Sequence, residues 1–157
     1  MRIAEYSFHH AKDYLLTRPE IYASLLAAVV NAQEAQIRGP KTSLCKHLRR
    51  EFASEGWQVN FRFDQNKLYT QYFDFFKDNV AVEIELSRYE FIYRDFIRFL
   101  AAYNANKIDV GVIITNTKAG LERIKCKSSG PSYERVCEEL DWLRPTLTVP
   151  LWIIGLK

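Results

Sequence analysis

Residues 73–86, FDFFKDNVAVEIEL, constrain this chain more than any other stretch. Strict alternation puts Val80, Val82, Ile84 and Leu86 on one face of a strand, and Ala81, Glu83 and Glu85 on the other. The run Leu68–Phe76 reads as its hairpin partner. Asp78-Asn79 lies between them, and both residues tolerate the left-handed backbone that a primed two-residue turn needs. With that turn Lys77 pairs with Val80, and counting outward sets Asp74 opposite Glu83, about 4.5–5.5 Å away at Cβ. A three-residue turn would send Asp74 to the other face instead.

The elements around this hairpin follow from periodicity. Ala11 to Ile37 reads as helix through Leu15, Leu16, Ile21, Leu25, Leu26, Val29 and Val30. Pro19 predicts a bend or restart, with Thr17 as its cap, and Gly39-Pro40 ends the element. A second helix runs from about Ser43 to Ser54, with Leu44, Leu48 and Phe52 on one face, and Gly56 terminates it. Trp57 to Phe63 alternates like a half-buried strand. A long helix, Arg88 to Asn104, carries the stripe Tyr89, Ile92, Phe96, Phe99, Leu100 and Tyr103. DVGVIIT, Asp109 to Thr115, is apolar nearly throughout and reads as a strand buried on both faces. A loop, a helix over Tyr133–Leu143 and a strand over Thr148–Ile154 complete the chain. The expected fold class is α/β, a mixed central sheet flanked by helices on both sides, in one domain over residues 1–157.

Composition acts mainly by exclusion. An aromatic share of 14% excludes disorder, and no apolar run approaches the ~20 residues that span a bilayer. The opening MRIAEYSFHHAKD has no apolar core before its charges, so no export signal is read and a cytoplasmic protein is expected. Cys45, Cys126 and Cys137 form no CxxC pair and read as reduced thiols; His9, His10 and His47 match no metal spacing. A net charge of +3 permits nucleic-acid binding without arguing for it.

Chemistry therefore falls to the hairpin. Asp74, Glu83 and Glu85 on one patch repel one another unless solvent or a cation intervenes, and such a set suits a hard divalent ion such as Mg²⁺. The same spacing also suits a solvated acidic sheet face, because D-x8-E-x-E is a loose pattern.

An acidic hairpin of this kind followed by a helix resembles the PD-(D/E)xK nuclease core. FDFFKDNVAVEIELSRYEFIYRDFIRF more specifically resembles the strand–strand–helix core of BglII/BstYI-like type II restriction endonucleases. DVGVIIT is similar to that group's next buried strand, KSSGPSYERV to its following loop and helix start, VPLWIIGL to its last core strand, and FHHAKDYLL to its N-terminus. The likeness is weakest over residues 31–65. It implies Asp74 and Glu83 as Mg²⁺ ligands with the Ile84 carbonyl. Glu85 stands where many fold members carry lysine, and would bind metal or accept a proton from the attacking water. The implied reaction is Mg²⁺-dependent phosphodiester hydrolysis in double-stranded DNA, leaving 5′-phosphate ends. The implied enzyme is a homodimer on a short palindrome with a GATC core, accompanied by a cognate DNA methyltransferase. BglII-like enzymes continue past the last strand into further β structure that grips DNA, and these 157 residues are expected to lack it. A repair or defence nuclease without site specificity, or a catalytically inert DNA-binding module, would share the fold.

The resemblance also implies base contacts at Ser87, Arg88 and Arg98, and a second contact loop at Ser128 and Ser129. Arg94 and Arg98 are expected on the polar side of their helix, where arginine suits guanine in the major groove, or equally a solvated face. Two basic segments, Arg38–Arg50 and Lys118–Lys127, offer Lys41, Lys46, Arg49, Lys118 and Lys127 as phosphate contacts, or as ordinary solvated charge. Glu34 is expected either to approach the metal from the side or to lie on the surface.

Overall fold

The structure is a computed structural model that describes residues 3–38, 44–63, 72–123 and 130–157. In chain order its elements are β1 (Ile3–Phe8), α1 (Ala11–Leu16), α2 (Pro19–Arg38), α3 (Leu44–Ser54), β2 (Gln58–Arg62), β3 (Tyr72–Lys77), β4 (Val80–Ile84), α4 (Phe91–Asn104), β5 (Val110–Asn116), α5 (Lys118–Arg123), α6 (Tyr133–Leu143) and β6 (Leu151–Leu156). The six strands form one sheet in the order β1-β6-β5-β4-β3-β2. Its centre, β4-β5-β6, is parallel; β1 on one side and the β2-β3 pair on the other run antiparallel to their neighbours. This is the mixed, doubly covered sheet that the pattern predicts.

Two elements escape the sequence reading. β1 pairs antiparallel with β6 along its whole length, from Ile3↔Leu156 to Phe8↔Leu151, and α5 is a short helix in what reads as loop. The break at Pro19 is real, but Thr17 does not cap α2. Its hydroxyl instead donates to the Tyr14 carbonyl at 2.7 Å, closing α1.

Helices cover both faces because each offers one apolar stripe. On one face Leu15, Leu25, Leu48 and Phe52 from α1–α3 meet Phe75, Val82, Val112 and Trp152. On the other, Ile92, Phe96 and Phe99 from α4, and Val136 and Leu140 from α6, meet Ala81, Ile113 and Ile153. Every residue of β5 is buried, as a strand between two helical layers must be. Gly111 lets α4 approach closely: a Cβ there would lie 2.5 Å from the Phe99 ring. Among the described residues no helix is long and apolar enough to cross a membrane.

Candidate active site

The hairpin turn forms as the sequence predicts. Asp78 and Asn79 have φ of 45° and 63°, and Lys77↔Val80, Phe76↔Ala81 and Phe75↔Val82 follow in register. The ladder ends there, one step before Asp74 and Glu83. Phe75 stacks on Phe52 of α3 with centroids 4.1 Å apart, whereas Phe73 packs on Phe99 of α4 at 4.9 Å. Residues two apart in a regular strand share a face, so β3 turns over at Asp74. β2 turns at the same level: Asn60, between the pairs Val59↔Phe75 and Phe61↔Phe73, has φ of 52°. The open end of the hairpin therefore parts, and the Asp74 carboxylate enters the gap, where Oδ2 accepts the Ile84 N–H at 2.9 Å.

Asp74, Glu83 and Glu85 all line one cleft of about 260 Å³, although they are only 8%, 4% and 4% exposed. Buried carboxylates at this density need compensating donors or cations, and the three are served very differently. Asp74 Oδ1 accepts from Arg49 Nη2 at 3.1 Å, and Arg49 also donates to the Asn60 amide oxygen at 3.2 Å. Glu85 Oε1 accepts from Ser87 N, Ser87 Oγ and Arg88 N at 3.0, 2.9 and 3.3 Å, which fixes the loop entering α4. Glu83 is the poorly served one. Arg98 Nη2 lies 3.2 Å from its Oε1, but the approach is misaligned, and that oxygen is buried without a hydrogen bond. Burial pushes the Glu83 carboxyl up to about 9; Arg98 pulls it down, and Asp74 and Asp95 add to the rise.

Arg98 is not on the polar side of its helix. It is 9% exposed and reaches under the cleft from α4, donating to Asp95 Oδ1 at 2.5 Å and to the Tyr72 carbonyl at 2.7 Å. The i, i+3 spacing of Asp95 and Arg98 encodes this pair, and reading the helix as a strictly apolar stripe conceals it. Burial raises the Asp95 carboxyl, against Arg98. Arg94 is the exposed member: it lies over the Phe91 ring at 4.5 Å and lines the cleft. Cys45 also lines the cleft, its thiol pushed up by burial and then by Asp74, which disfavours the thiolate.

Ser87 and Arg88 are exposed beside the cleft, the latter 3.9 Å from Glu90. Lys46 is exposed on α3, while Lys118 is exposed at the start of α5, where its backbone N–H bonds Glu134. Glu34 is exposed on α2 and does not line the cleft. Lys41, Lys127, Ser128 and Ser129 lie outside the described residues. Among the described residues no three His, Cys, Asp or Glu side chains are grouped to hold a metal ion. The three-carboxylate convergence is thus reduced to two, because the Ser87–Arg88 loop takes up Glu85. Asp74, Glu83 and the Ile84 carbonyl are the donors left for a hard cation. They fit one, since all are oxygens and Glu83 has a buried oxygen without a hydrogen bond.

A family model described as restriction endonuclease BglII/BglIII matches residues 3–156. Among solved structures, that of restriction endonuclease BglII complexed with a DNA 16-mer is similar with a TM-score of 0.80 at 18% identity, covering 99% of this chain and 76% of that one. Free BglII is similar at 0.68 and 20%, covering 100% and 80%. No curated protein matches by sequence.

Proposed function

Because the chain belongs to the restriction endonuclease BglII/BglIII family, and so is a type II site-specific deoxyribonuclease, we propose that it hydrolyses phosphodiester bonds of double-stranded DNA in the Asp74–Glu83 cleft. The supporting observation is the parted hairpin end, where two buried carboxylates meet and one oxygen has no hydrogen bond. Mg²⁺ held by Asp74, Glu83 and the Ile84 carbonyl would supply nucleophile activation and charge stabilisation at phosphorus.

The remaining roles belong to this chain's own groups. Glu85 keeps one oxygen on the Ser87–Arg88 loop, and the other is the base that takes a proton from the attacking water. Arg98 is a positioning residue: it sits under Glu83, ties it to Asp95, and is too buried to read a base. Ser87 and Arg88, set by Glu85 at the mouth of α4, are the base-contact candidates, with Lys46 and Arg94 on phosphate. The enzyme acts as a homodimer on a palindrome with a GATC core, in the cytoplasm, with a cognate DNA methyltransferase protecting the host. Two-fold protein symmetry mirrors such a site.

Purified protein with Mg²⁺ and methylated or unmethylated plasmid tests this, beside Glu83→Ala. Discrete fragments from the wild type, absent with the variant, are the expected result. A smear from the wild type alone would indicate a nuclease of this fold without site specificity, and DNA binding without cutting an inert module. Equal cutting by both proteins would overturn the site.

A further inference from the structure

A second cleft of about 330 Å³ adjoins the acidic one and shares Arg49 and Tyr72 with it. Asn60 and Arg62 form the rest of its wall. The two spaces differ in their charged groups: the first sets Asp74, Glu83 and Glu85 against Arg49, Arg94 and Arg98, whereas among the described residues two guanidiniums, an amide and a phenol line the second, without a carboxylate. Arg62 stands exposed at the end of β2, without an ion-pair partner among the described residues.

The wall is built rather than incidental. Asn60 has a left-handed backbone, uncommon for a strand residue, and Arg49 Nη1 donates to its amide oxygen at 3.2 Å. Tyr72 is held from beneath, its carbonyl accepting from Arg98 at 2.7 Å and its ring 5.6 Å from that guanidinium, and it remains 37% exposed. Arg49 spans the boundary, with Nη2 on Asp74 and Nη1 on Asn60.

We infer that the second cleft is the subsite for the phosphodiester flanking the scissile one on the same strand. Arg62 supplies the charge, and Tyr72 the surface on which the adjoining nucleotide rests. This inference rests on the DNA-cutting reading of the first cleft. With its scissile phosphate at Asp74 and Glu83, a strand that runs past Arg49 and Tyr72, the residues the two clefts share, brings its neighbouring phosphate to Arg62. An arginine without an ion-pair partner among the described residues suits a phosphate oxygen there. A free phosphate shares that chemistry, and the position of the charge along a strand separates the two.

The test measures duplex binding in Ca²⁺, over a range of salt, for wild type, Arg62→Ala and Arg62→Lys. The duplex carries the site mapped by plasmid cleavage, with single neutral methylphosphonates placed in turn along the strand. Arg62→Ala is expected to weaken binding about tenfold and to lower the log–log salt slope by about 1, while Arg62→Lys keeps most of that slope. One methylphosphonate beside the scissile position should cost the wild type a similar factor and cost Arg62→Ala nothing further. Unchanged affinity and slope in Arg62→Ala, or losses that simply add at every position, would overturn the subsite while leaving the nuclease reading intact. Free phosphate competing with wild type but not Arg62→Ala, with no methylphosphonate effect, would overturn it as a strand site. A wild type that neither binds nor cuts duplex DNA would overturn the functional reading together with the subsite.

Discussion

The two ends of the β3–β4 hairpin are built from the same strands and do opposite things. At the turn end, paired residues continue in register, Phe75 and Val82 pack into an apolar core, and Asp78-Asn79 supplies two left-handed residues. At the open end both β2 and β3 turn over, the ladder stops, and a side chain takes the backbone N–H that the ladder gives up. Regular pairing leaves no room for a ligand. A strand pair opens a cleft by parting while still anchored, and here the turn end is the anchor.

The largest expected contrast is chemical. Glu83→Gln and Asp74→Asn should each lower cleavage by about a thousandfold or more, while the hairpin stays folded by circular dichroism. Phe75→Ala, one residue toward the turn, should do the reverse. It empties the space against Phe52 and costs about 3–5 kcal/mol in denaturant unfolding, with any lost activity following lost folded protein. Comparable activity losses at fixed fold from both classes would erase the distinction between the two ends.

A subtler difference is in pH. Glu83 is raised to about 9 in the fold from an ordinary value of 4.5. The folded state thus holds a proton that the unfolded chain releases, and the resulting stability is complete below about 4.5 and lost as pH climbs through 9. Metal-free protein should therefore lose on the order of a few kcal/mol at most over that window, and Glu83→Gln, neutral throughout, should flatten the decline. Thermal melts across pH read this directly. The smallest effect is at the turn, where Asn79→Ala forces a Cβ-bearing residue without a local hydrogen-bonding side chain into φ of 63°. About 1 kcal/mol of stability is at stake there, with cleavage unaffected.

Much of this was legible in the residues. Alternation and the Asp78-Asn79 turn place Asp74 beside Glu83, and DVGVIIT reads as the buried strand it is. What escaped depends on departures from regularity. The reversal at Asn60 and Asp74 has no periodic signature, because it changes the facing of side chains without changing register. Arg98 looked like a surface residue because a charged side chain breaks the apolar stripe. Its burial depends on Asp95, Glu83 and the Tyr72 carbonyl meeting it from three elements. Glu85 shares a face with Glu83 by alternation, yet the strand ends at Ile84, and beyond that point the local loop decides where the carboxylate goes. β1 was missed because its residues are only partly buried at an edge, where alternation is weak.

In the proposed enzyme the parted hairpin end, and no other acidic group, receives the cation. Titrating Mn²⁺ against wild type, Asp74→Asn and Glu85→Gln by electron paramagnetic resonance tests it most directly. Binding lost in Asp74→Asn and largely retained in Glu85→Gln is the result the proposed site predicts. Equal binding by wild type and Asp74→Asn would contradict it.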